Sequence, residues 1–334
     1  MIHVYTWGGF NNFGDDWISE VGRKLLYEFT PKFHNRLDTG SPLRKFRNDH
    51  SAYVNDFHSD SGLSPLIIWG GGIFPFDISS SNVEKFTKIF SKSQRKVYAF
   101  GIGVGEIPIE HRKMAHNFYS RFQQPIYVRS QLDVDSLLSL GIEAILSCDV
   151  ALLDPNLSEY KQMGKENSGF STIILPKLKK ISTENSYREN YFGKVMDIIR
   201  DNKTKSPIFF LNYGGRRGSI PHGNDSQFWK NEFPQRMSAP NLDVFKSLAA
   251  DSEVFVSGRL HTSIFRLLTG KEVYSIAYQS KFALINEFSR TITNESKKNV
   301  TSSLILCPES MDRVIERGKT ALVALKKDLS SDEN

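Results

Sequence analysis

VFVSGRLHTSIFRLLTG, residues 254–270, is an apolar run that turns through Ser257 and Gly258 into an amphipathic helical pattern. A helix that begins after this turn would bury apolar side chains at i, i+4, i+7 and i+8, which here are Leu260, Ile264, Leu267 and Leu268. The first N–H groups of such a helix attract anions because they have no acceptor within the helix. Arg259 adds a fixed positive charge there, and His261 adds a group that can exchange a proton.

Two interpretations of this turn are open. In the first, the helix start binds an anion with the help of Arg259 and His261. In the second, the stretch is a plain structural connection in which the arginine is solvated and the histidine is packed in the core. The combination of an arginine, a histidine and a helix start favours the first interpretation.

Strand-like and helical patterns alternate along the rest of the chain. A polar stretch at residues 154–169 interrupts this alternation, which restarts at STIILPKL, residues 171–178. Alternating strands and helices predict parallel sheets that are covered by helices on both faces. The strand-like runs of the first half are HVYTW at 3–7, PLIIWGGG at 65–72, KVYAFGIGV at 96–104, IYVRS at 126–130 and AILSCD at 144–149.

The expected fold is therefore α/β, with two Rossmann-like domains that face each other across a cleft in a GT-B-like arrangement. The N-terminal domain is predicted at residues 1–155 and the C-terminal domain at residues 170–330. A last amphipathic helix runs to about Lys327, and one option is that it returns to the N-terminal domain. Because ligands of open parallel sheets bind at the carboxyl ends of the strands, the motifs that follow the strands could all face one cleft.

Several motifs, taken in order, resemble the polysaccharide pyruvyltransferase family. SGRLH at residues 257–261 is similar to the family's S-x-RLH segment, and NNFGDD at residues 11–16 looks like its N-terminal N-x-GD loop. The resemblance covers roughly residues 5–285, and its motifs are weak singly but fairly specific as an ordered set. The other members of the set are WGGG at 69–72, GIGVG at 101–105, VRS at 128–130 and YQSK at 278–281.

The resemblance implies an enzyme that transfers pyruvate from phosphoenolpyruvate to a hydroxyl pair of a glycan as a cyclic ketal. Such a reaction belongs to exopolysaccharide, capsule or cell-wall polysaccharide biosynthesis of the bacterial type. The N-terminal domain would then carry the acceptor side, and the C-terminal domain the donor phosphate side. The acceptor would be an oligosaccharide or a lipid-linked glycan.

The resemblance also assigns roles to individual residues. Arg129 and Arg259 together would hold the phosphate and carboxylate of the donor, and the bidentate geometry of arginine suits both groups. Leu260 and Lys281 would join the donor site, and the family's usual Y-D-P-K reads YQSK here. His261 is the natural general acid and could instead be an anion contact. Asp15 is a candidate base for a sugar hydroxyl.

Loops at the strand ends supply further candidates for the cleft. Gly70, Gly71 and Gly72 are explained either by a tight turn or by close approach of the backbone to a ligand, and both can hold at once. The segment NYGGRRG, residues 212–218, could be an anion-binding loop or a mobile acceptor loop. The candidate cleft residues are Asn12, Gly14, Gly71, Gly72, Gly101, Gly103, Arg216 and Arg217.

Composition narrows the class of protein. The chain has 334 residues, 39% of them hydrophobic, and a formal net charge of +6 from 43 basic and 37 acidic residues. This mild bias suits an anionic substrate or peripheral contact with an anionic membrane surface, and no cluster of basic and aromatic residues indicates nucleic-acid binding. Two cysteines cannot form a disulfide framework, and no signal peptide or apolar span is apparent. The sequence predicts a cytoplasmic enzyme, with the inner face of the membrane as an option.

No metal or organic cofactor is expected. Gly101-Ile-Gly103-Val-Gly105 has Glu106 where a dinucleotide-binding motif requires its third glycine, which disfavours a nicotinamide cofactor. Asp133-Val-Asp135 matches a metal-binding D-x-D, but on the predicted helix positions i and i+2 point to different faces.

Two competing functions stay open at this point. One is a glycosyltransferase of the same architecture that uses a nucleotide sugar, and the other is a glycan-binding protein without catalytic activity. Release of phosphate from phosphoenolpyruvate, as opposed to release of a nucleotide, separates the first from a pyruvyltransferase. Fold alone cannot choose among them.

Overall fold

The computed structural model describes residues 2–6, 12–35, 64–72, 96–164, 169–175, 185–201, 206–213, 229, 231–276, 289–290, 304–306 and 311–331. The chain forms two compact units. The first unit contains Met1–Gly9, Asp15–Pro155 and Asp312–Asn334, and the second contains Phe10–Gly14 and Asn156–Met311.

A parallel sheet of six strands forms the centre of the first unit, in the order β2-β1-β3-β4-β5-β6. Its strands are β1 (His3–Thr6), β2 (Lys32–Asn35), β3 (Leu66–Trp69), β4 (Val97–Ile102), β5 (Ile126–Val128) and β6 (Ala144–Leu146). The helices described here are α1 (Phe13–Leu25), α2 (Arg112–Tyr119) and α3 (Gln131–Leu138), with short 3₁₀ helices at Tyr27–Phe29, Ile109–His111 and Val150–Leu153.

The central strands of this sheet are continuous apolar runs because both of their faces are covered. Every residue of β3 and β4 is buried. Trp69 of β3 stacks on Phe100 of β4 with 5.2 Å between the ring centroids, and Phe118 and Phe122 pack edge-to-face nearby in the same unit's core. The core of the first unit therefore lies on both sides of β3 and β4.

The sheet of the second unit is mostly parallel, in the order β12-β13-β11-β10-β7-β8-β9, and the pairs that involve β13 are antiparallel. Its strands are β7 (Ser171–Ile174), β8 (Ile208–Tyr213), β9 (Arg236–Ala239), β10 (Phe255–Ser257), β11 (Tyr274–Ser275), β12 (Ser289–Arg290) and β13 (Leu304–Leu306). Its helices are α4 (Leu157–Met163), α5 (Asn185–Asp201), α6 (Leu242–Asp251) and α7 (Leu260–Leu268).

The last helix, α8 (Met311–Ser331), packs on the first unit from residue 312 onward. Gly318 of this helix lies against the Sγ of buried Cys148, and a side chain at position 318 would clash with it. The Nε of Arg317 donates a hydrogen bond to the carbonyl oxygen of Ser147 at 2.6 Å. An ion pair of 2.8 Å joins Lys326 to Glu28. The helix thus returns to the N-terminal half, as one option from the sequence had it.

The two units therefore differ from the predicted ranges of 1–155 and 170–330 at three places. Residues 312–330 belong to the first unit because of the contacts of α8, and residues 10–14 group with the second unit. The polar stretch after residue 155, predicted as a boundary, contains helix α4, which packs against α6 and α7. The chain passes from the first unit to the second after Pro155.

Within the described residues, none of the helices combines the length and the apolar character that crossing a membrane requires.

Candidate functional site

A strand, a turn and a helix form the centre of the candidate site in the second unit. Strand β10 ends at Ser257, Arg259 takes an extended conformation (φ −119°, ψ 126°) at the N-cap position, and helix α7 begins at Leu260. The predicted strand–turn–helix unit is confirmed, and all four apolar residues that were expected on its inner face are buried. Arg259 and His261 are half-buried, and the Nε2 of His261 is itself buried.

Hydroxyl groups fix this turn. The Oγ of Ser257 accepts a hydrogen bond from the backbone N–H of Arg259 at 3.0 Å and lies 2.6 Å from the Oγ1 of Thr262. The hydroxyls of Thr262 and Ser263 donate to the carbonyl oxygen of Arg259 at 2.9 and 3.1 Å, and Ser263 also contacts Ser275 of β11 at 3.2 Å. The backbone that carries Arg259 and His261 is therefore held from both the strand and the helix.

These serine and threonine residues were not among the predicted site residues. The signal that could have revealed them is their spacing around the arginine, S-x-R-x-x-T-S from Ser257 to Ser263. Short hydroxyl side chains close to a helix start hydrogen-bond the local backbone.

Leu260 has a different position from its neighbours. Its side chain is 3% exposed and belongs to the buried apolar face of α7. At the first position of the helix its backbone N–H has no acceptor within the helix, so the backbone is the part of Leu260 that is suited to an anion.

Gly14 lies directly against His261. An ideal Cβ on Gly14 would be 2.5 Å from the Cγ of His261, 2.7 Å from its Cβ and closer still to its Nδ1. The side-chain oxygen of Asn12 accepts a hydrogen bond from the N–H of Gly14 at 3.3 Å. Gly14, a predicted cleft residue, is thus brought to the predicted catalytic histidine within the second unit, and Asn12 contacts Gly14.

The ring of Phe13 explains why this loop groups with the second unit. Its centroid is 4.2 Å from that of Phe245 in α6 and 5.9 Å from those of Phe265 in α7 and Tyr213 in β8. Phe13 is buried in this aromatic cluster. The position of Phe13 could not be predicted because its partners are two hundred or more residues away in the chain.

Asp15 and Asp16 occupy the first turn of α1, where negative charge complements the helix dipole. Both are half-exposed, and the backbone oxygen of Asp15 accepts a hydrogen bond from the hydroxyl of Ser19 at 2.9 Å. From Asp15 onward the helix belongs to the first unit. The role of Asp15 as a base stays a prediction.

In the first unit, Arg129 follows strand β5 and is 3% exposed. Its Nη1 donates a hydrogen bond to the Oδ2 of buried Asp149 at 3.0 Å, and the Oδ1 of Asp149 accepts one from the N–H of Ala151 at 3.1 Å. Asp149, which was not among the predicted site residues, therefore fixes the orientation of the arginine. Strands β5 and β6 are parallel neighbours in the sheet. Arg129 follows β5 and Asp149 follows β6, so this pairing is the feature that could have indicated their contact.

Gly103 lies beside the other edge of this guanidinium. An ideal Cβ on Gly103 would be 2.5 Å from the Nη2 of Arg129 and 2.7 Å from its Nε. The edge of the guanidinium formed by Nε and Nη2 therefore occupies space that a side chain at position 103 would need. The N–H of Gly103 donates to the carbonyl oxygen of Gly71 at 2.8 Å, and Gly72 forms an isolated parallel bridge with Gly103. An arginine edge formed by Nε and Nη2 is the one that binds carboxylate and phosphate in bidentate fashion.

Two of these glycines also have backbones that other residues rarely adopt. Gly71 has a φ of +76° and Gly101 a φ of +63°. A Cβ on Gly101 would also meet the side chain of Val150 and the backbone oxygen of Cys148. The backbone conformation therefore requires glycine at both positions, whereas Gly103, whose φ is not positive, is a glycine because Arg129 leaves no room for a Cβ.

The carboxylate of Asp133 supports the same glycine loop. One carboxylate oxygen accepts hydrogen bonds from the N–H groups of Val104 and Gly105 at 2.6 and 2.7 Å, and the other accepts from the N–H and the hydroxyl of Ser130 at 3.1 and 2.6 Å. Asp135 instead accepts from Gln131 on the exposed side of α3. Across the described ranges, no three His, Cys, Asp or Glu side chains come together in a way that could hold a metal ion.

The charge of Asp133 also affects the pKa of a buried tyrosine, Tyr119. Burial in the first place, and the negative charge of Asp133 in the second, raise the pKa of Tyr119. Its hydroxyl has no hydrogen-bond partner among the residues that the structure describes. Tyr119 therefore stays protonated at physiological pH.

The sequence profile of the polysaccharide pyruvyl transferase family matches residues 12–280 of this chain, which is well over half of its length. The chain belongs to the polysaccharide pyruvyl transferase family. Membership indicates a pyruvyltransferase enzyme with a glycan acceptor and a small-molecule donor. Arg129 of the first unit and Arg259 of the second unit both lie inside the matched residues.

Solved structures that are similar to this family member were also found. UDP-GlcNAc 2-epimerase from Methanocaldococcus jannaschii is similar with a TM-score of 0.50 and 12% sequence identity, over 94% of this chain and 98% of that one. A glycosyltransferase from Rickettsia africae ESF-5 follows with a TM-score of 0.45 and 12% identity, over 99% of this chain and 97% of that one. The first likeness shows the fold alone and confirms the predicted class, α/β of the GT-B type. No curated protein sequence matches the chain.

Three residues of the predicted pyruvyltransferase site, Arg216, Arg217 and Lys281, lie outside the described residues. Their roles stay predictions. The family profile ends at residue 280, directly before Lys281.

Arg266 is a structural arginine of this pyruvyl transferase that the helical pattern of α7 did not reveal. It is 2% exposed, and its guanidinium donates to the carbonyl oxygens of Ala249 and Ala250 at 2.8 and 2.7 Å and to that of Ser252 at 2.6 Å. Burial lowers the pKa of Arg266 to about 10, against the opposing effect of the charge of Asp251, so it stays charged at neutral pH. It satisfies the carbonyls at the end of α6 and thereby ties α6 to α7.

Proposed function

We propose that this chain transfers pyruvate from phosphoenolpyruvate to two hydroxyl groups of a glycan as a cyclic ketal. The observation that carries the proposal is the start of α7, where Arg259 and His261 flank backbone N–H groups inside the residues that the family profile matches. An arginine and a helix start suit the two anionic groups of phosphoenolpyruvate. Membership of the family supplies the pyruvyl transfer, and phosphoenolpyruvate as the donor is our proposal.

The reaction needs one proton gain and two hydroxyl additions. C3 of the enol gains a proton while C2 becomes oxocarbenium-like, and a sugar hydroxyl adds to C2 and gives up its proton. The bond between C2 and the phosphate oxygen then breaks, phosphate leaves, and the second hydroxyl adds to C2 and loses its proton. The products are the cyclic ketal and inorganic phosphate, so that atoms and charges balance.

The residues of the chain have distinct parts in this scheme. His261 is the proposed acid that delivers the proton to C3. Arg259 and the first N–H groups of α7 hold an anionic group of the donor and stabilise charge on it as phosphate leaves. Arg129 keeps the role of an anion contact through its Nε and Nη2 edge, and Asp15 that of a base for a sugar hydroxyl.

The proposal includes no metal and no organic cofactor, since arginines and a helix start supply the positive charge that the donor requires. The acceptor is an oligosaccharide or a lipid-linked glycan of an exopolysaccharide, capsule or cell-wall polysaccharide. The predicted cytoplasmic location, with contact at the inner face of the membrane where the acceptor is lipid-linked, belongs to the same proposal.

A panel of oligosaccharide acceptors, incubated with phosphoenolpyruvate and the enzyme, tests the proposal. Mass spectrometry should detect the mass gain of one pyruvyl group on one class of acceptor, and periodate or methylation analysis should show that a hydroxyl pair has been lost. A panel in which no acceptor gains pyruvate, while a nucleotide sugar donor yields a glycosylated product, would overturn it.

A further inference from the structure

We propose that Gly14 and Phe13 are positioning residues for His261: Phe13 anchors the chain in an aromatic cluster, and Gly14 holds the imidazole in place by contact with its own backbone. This inference rests on the proposed function, because it concerns the group that is assigned as the acid. It adds two residues that act through His261 and do not themselves touch the donor.

The contact leaves no room for a side chain at position 14. An ideal Cβ would be 2.5 Å from the Cγ of His261 and 2.7 Å from its Cβ, both shorter than the contacts that real Cβ atoms make. Rotation of the imidazole cannot relieve such a clash, because the Cβ of His261 is bonded directly to the backbone of α7. Either the helix start or the segment at Phe13 and Gly14 would have to move.

Neither backbone can move easily. The helix start is tied to β10 and β11 through the hydroxyls of Ser257, Thr262 and Ser263. On the other side, the ring of Phe13 is 4.2 Å from Phe245, centroid to centroid, and is buried. The imidazole is therefore confined between two anchored pieces of backbone.

The presence of glycine at position 14 supports the inference that this residue positions His261. Gly14 lies in the first turn of α1, and glycine is a poor helix former there because its backbone loses the most freedom on folding. The φ of Gly14 is not in the positive region, so the backbone conformation does not demand glycine. The close approach of His261 does demand it.

A loss of this contact would displace the imidazole without removing it. Misplacement of a catalytic group by about 1 Å can reduce a rate by roughly a hundredfold. For Gly14→Ala we therefore expect kcat to fall by about 10- to 100-fold, while KM for phosphoenolpyruvate changes by less than about threefold, since Arg259 and the helix start remain.

The experiment combines kinetics with NMR of the full-length enzyme carrying isotope-labelled histidine. The ring signals of His261 are assigned by their absence in His261→Gln. In folded Gly14→Ala, those signals should shift while the signals of the other histidines stay in place, and kcat should fall. Gly193→Ala is the matched control, because Gly193 lies in α5 of the same unit with open space around its Cβ position and an ordinary φ.

A second variant keeps the test decisive if Gly14→Ala fails to fold. Phe13→Leu removes the ring contacts but leaves Gly14, so the signals of His261 should shift or broaden and kcat should fall. Phe192→Leu is its control, because Phe192 is a half-buried ring of the second unit that packs on Phe233 at 5.6 Å. Unchanged His261 signals in either folded variant, or shifted signals with an unchanged kcat, would overturn the inference.

The two proposals fail in different ways. The NMR measurement needs neither donor nor acceptor, so it decides whether Gly14 and Phe13 position His261 even if no pyruvyl transfer is found. Absence of pyruvyl transfer by the wild-type enzyme would remove the proposed function, whereas an unmoved imidazole in an active enzyme would remove only the positioning role.

Discussion

The Nη1 of Arg129 lies 3.0 Å from the Oδ2 of Asp149, and the two side chains are 4% and 0% exposed. The stability of a buried charge depends on its ion-pair partner, because water cannot solvate the charge if the partner is removed. The pair is therefore both a structural element of the first unit and the support of a predicted donor-binding arginine.

Asp149→Asn should lower the free energy of unfolding of the first unit by about 3–5 kcal/mol, since it leaves the buried guanidinium of Arg129 without a counter-charge. Asparagine still offers an oxygen to the N–H of Ala151, so the loss of charge dominates the effect. Urea unfolding, followed by tryptophan fluorescence, measures it. Asp197→Asn is the control, because its pair with Arg200 is 55% and 74% exposed and should contribute less than about 1 kcal/mol. Equal effects of the two variants would contradict the structural importance of the buried pair.

Gly103→Ala tests whether the second edge of Arg129 binds the donor. The added methyl group would occupy the space beside Nη2 and Nε, so the Kd for phosphoenolpyruvate should rise about 10- to 100-fold, as expected for hydrogen bonds to a charged group. Isothermal titration calorimetry measures the Kd, with Gly193→Ala as the control. A folded Gly103→Ala enzyme with wild-type donor affinity would show that this edge of Arg129 does not contact the donor.

Much of the local structure could be predicted from the sequence. The apolar spacing of α7 and the glycine and polar residues before it specify a strand, a turn and a helix, and that unit formed as predicted. Buried parallel strands such as β3 and β4 could also be predicted, because such strands appear in the sequence as continuous apolar runs. Patterns within about ten residues decide these features, so no knowledge of distant contacts was needed.

The membership of segments in the two units could not be predicted. Phe13 joins the second unit through rings at positions 213, 245 and 265, and α8 joins the first unit through contacts such as that of Arg317 with Ser147. Nothing in the local sequence of either segment indicates which apolar surface it will meet. These contacts are decided by tertiary packing between residues far apart in the chain.

The burial and the partners of charged residues also could not be predicted from the sequence. Arg266 stands in an amphipathic pattern that is equally typical of an exposed arginine, yet it is buried against carbonyl oxygens. The partner of Arg129 became apparent only when β5 and β6 were found side by side, since that pairing brings the residues after the two strands together. An alternating pattern predicts a parallel sheet but does not specify strand order.

His261→Gln should reduce kcat by roughly 10²- to 10⁴-fold and leave the affinity for phosphoenolpyruvate nearly unchanged, because glutamine keeps hydrogen-bonding capacity but cannot deliver a proton as an acid. Single-turnover kinetics and calorimetry separate the two quantities. His116→Gln, at an exposed position of α2, is the control. Weakened donor binding with nearly unchanged turnover would show that His261 is an anion contact and not the acid.

Chelation should leave activity unchanged. Both carboxylate oxygens of Asp133, the strongest metal candidate of the sequence, already accept hydrogen bonds from Val104, Gly105 and Ser130. The measurement is the initial rate before and after dialysis against a chelator. A loss of activity that a divalent cation restores would contradict the proposal that no metal takes part.

The most direct test of the central claim is a ³¹P NMR experiment with two donors in one tube. Phosphoenolpyruvate and a nucleotide sugar are mixed with a glycan acceptor, and the reaction is followed with the wild-type enzyme and with His261→Gln. We expect the phosphoenolpyruvate signal to be replaced by that of inorganic phosphate only when acceptor and wild-type enzyme are both present, while the nucleotide sugar stays intact. Release of a nucleotide from the sugar donor, with phosphoenolpyruvate unchanged, would contradict the account.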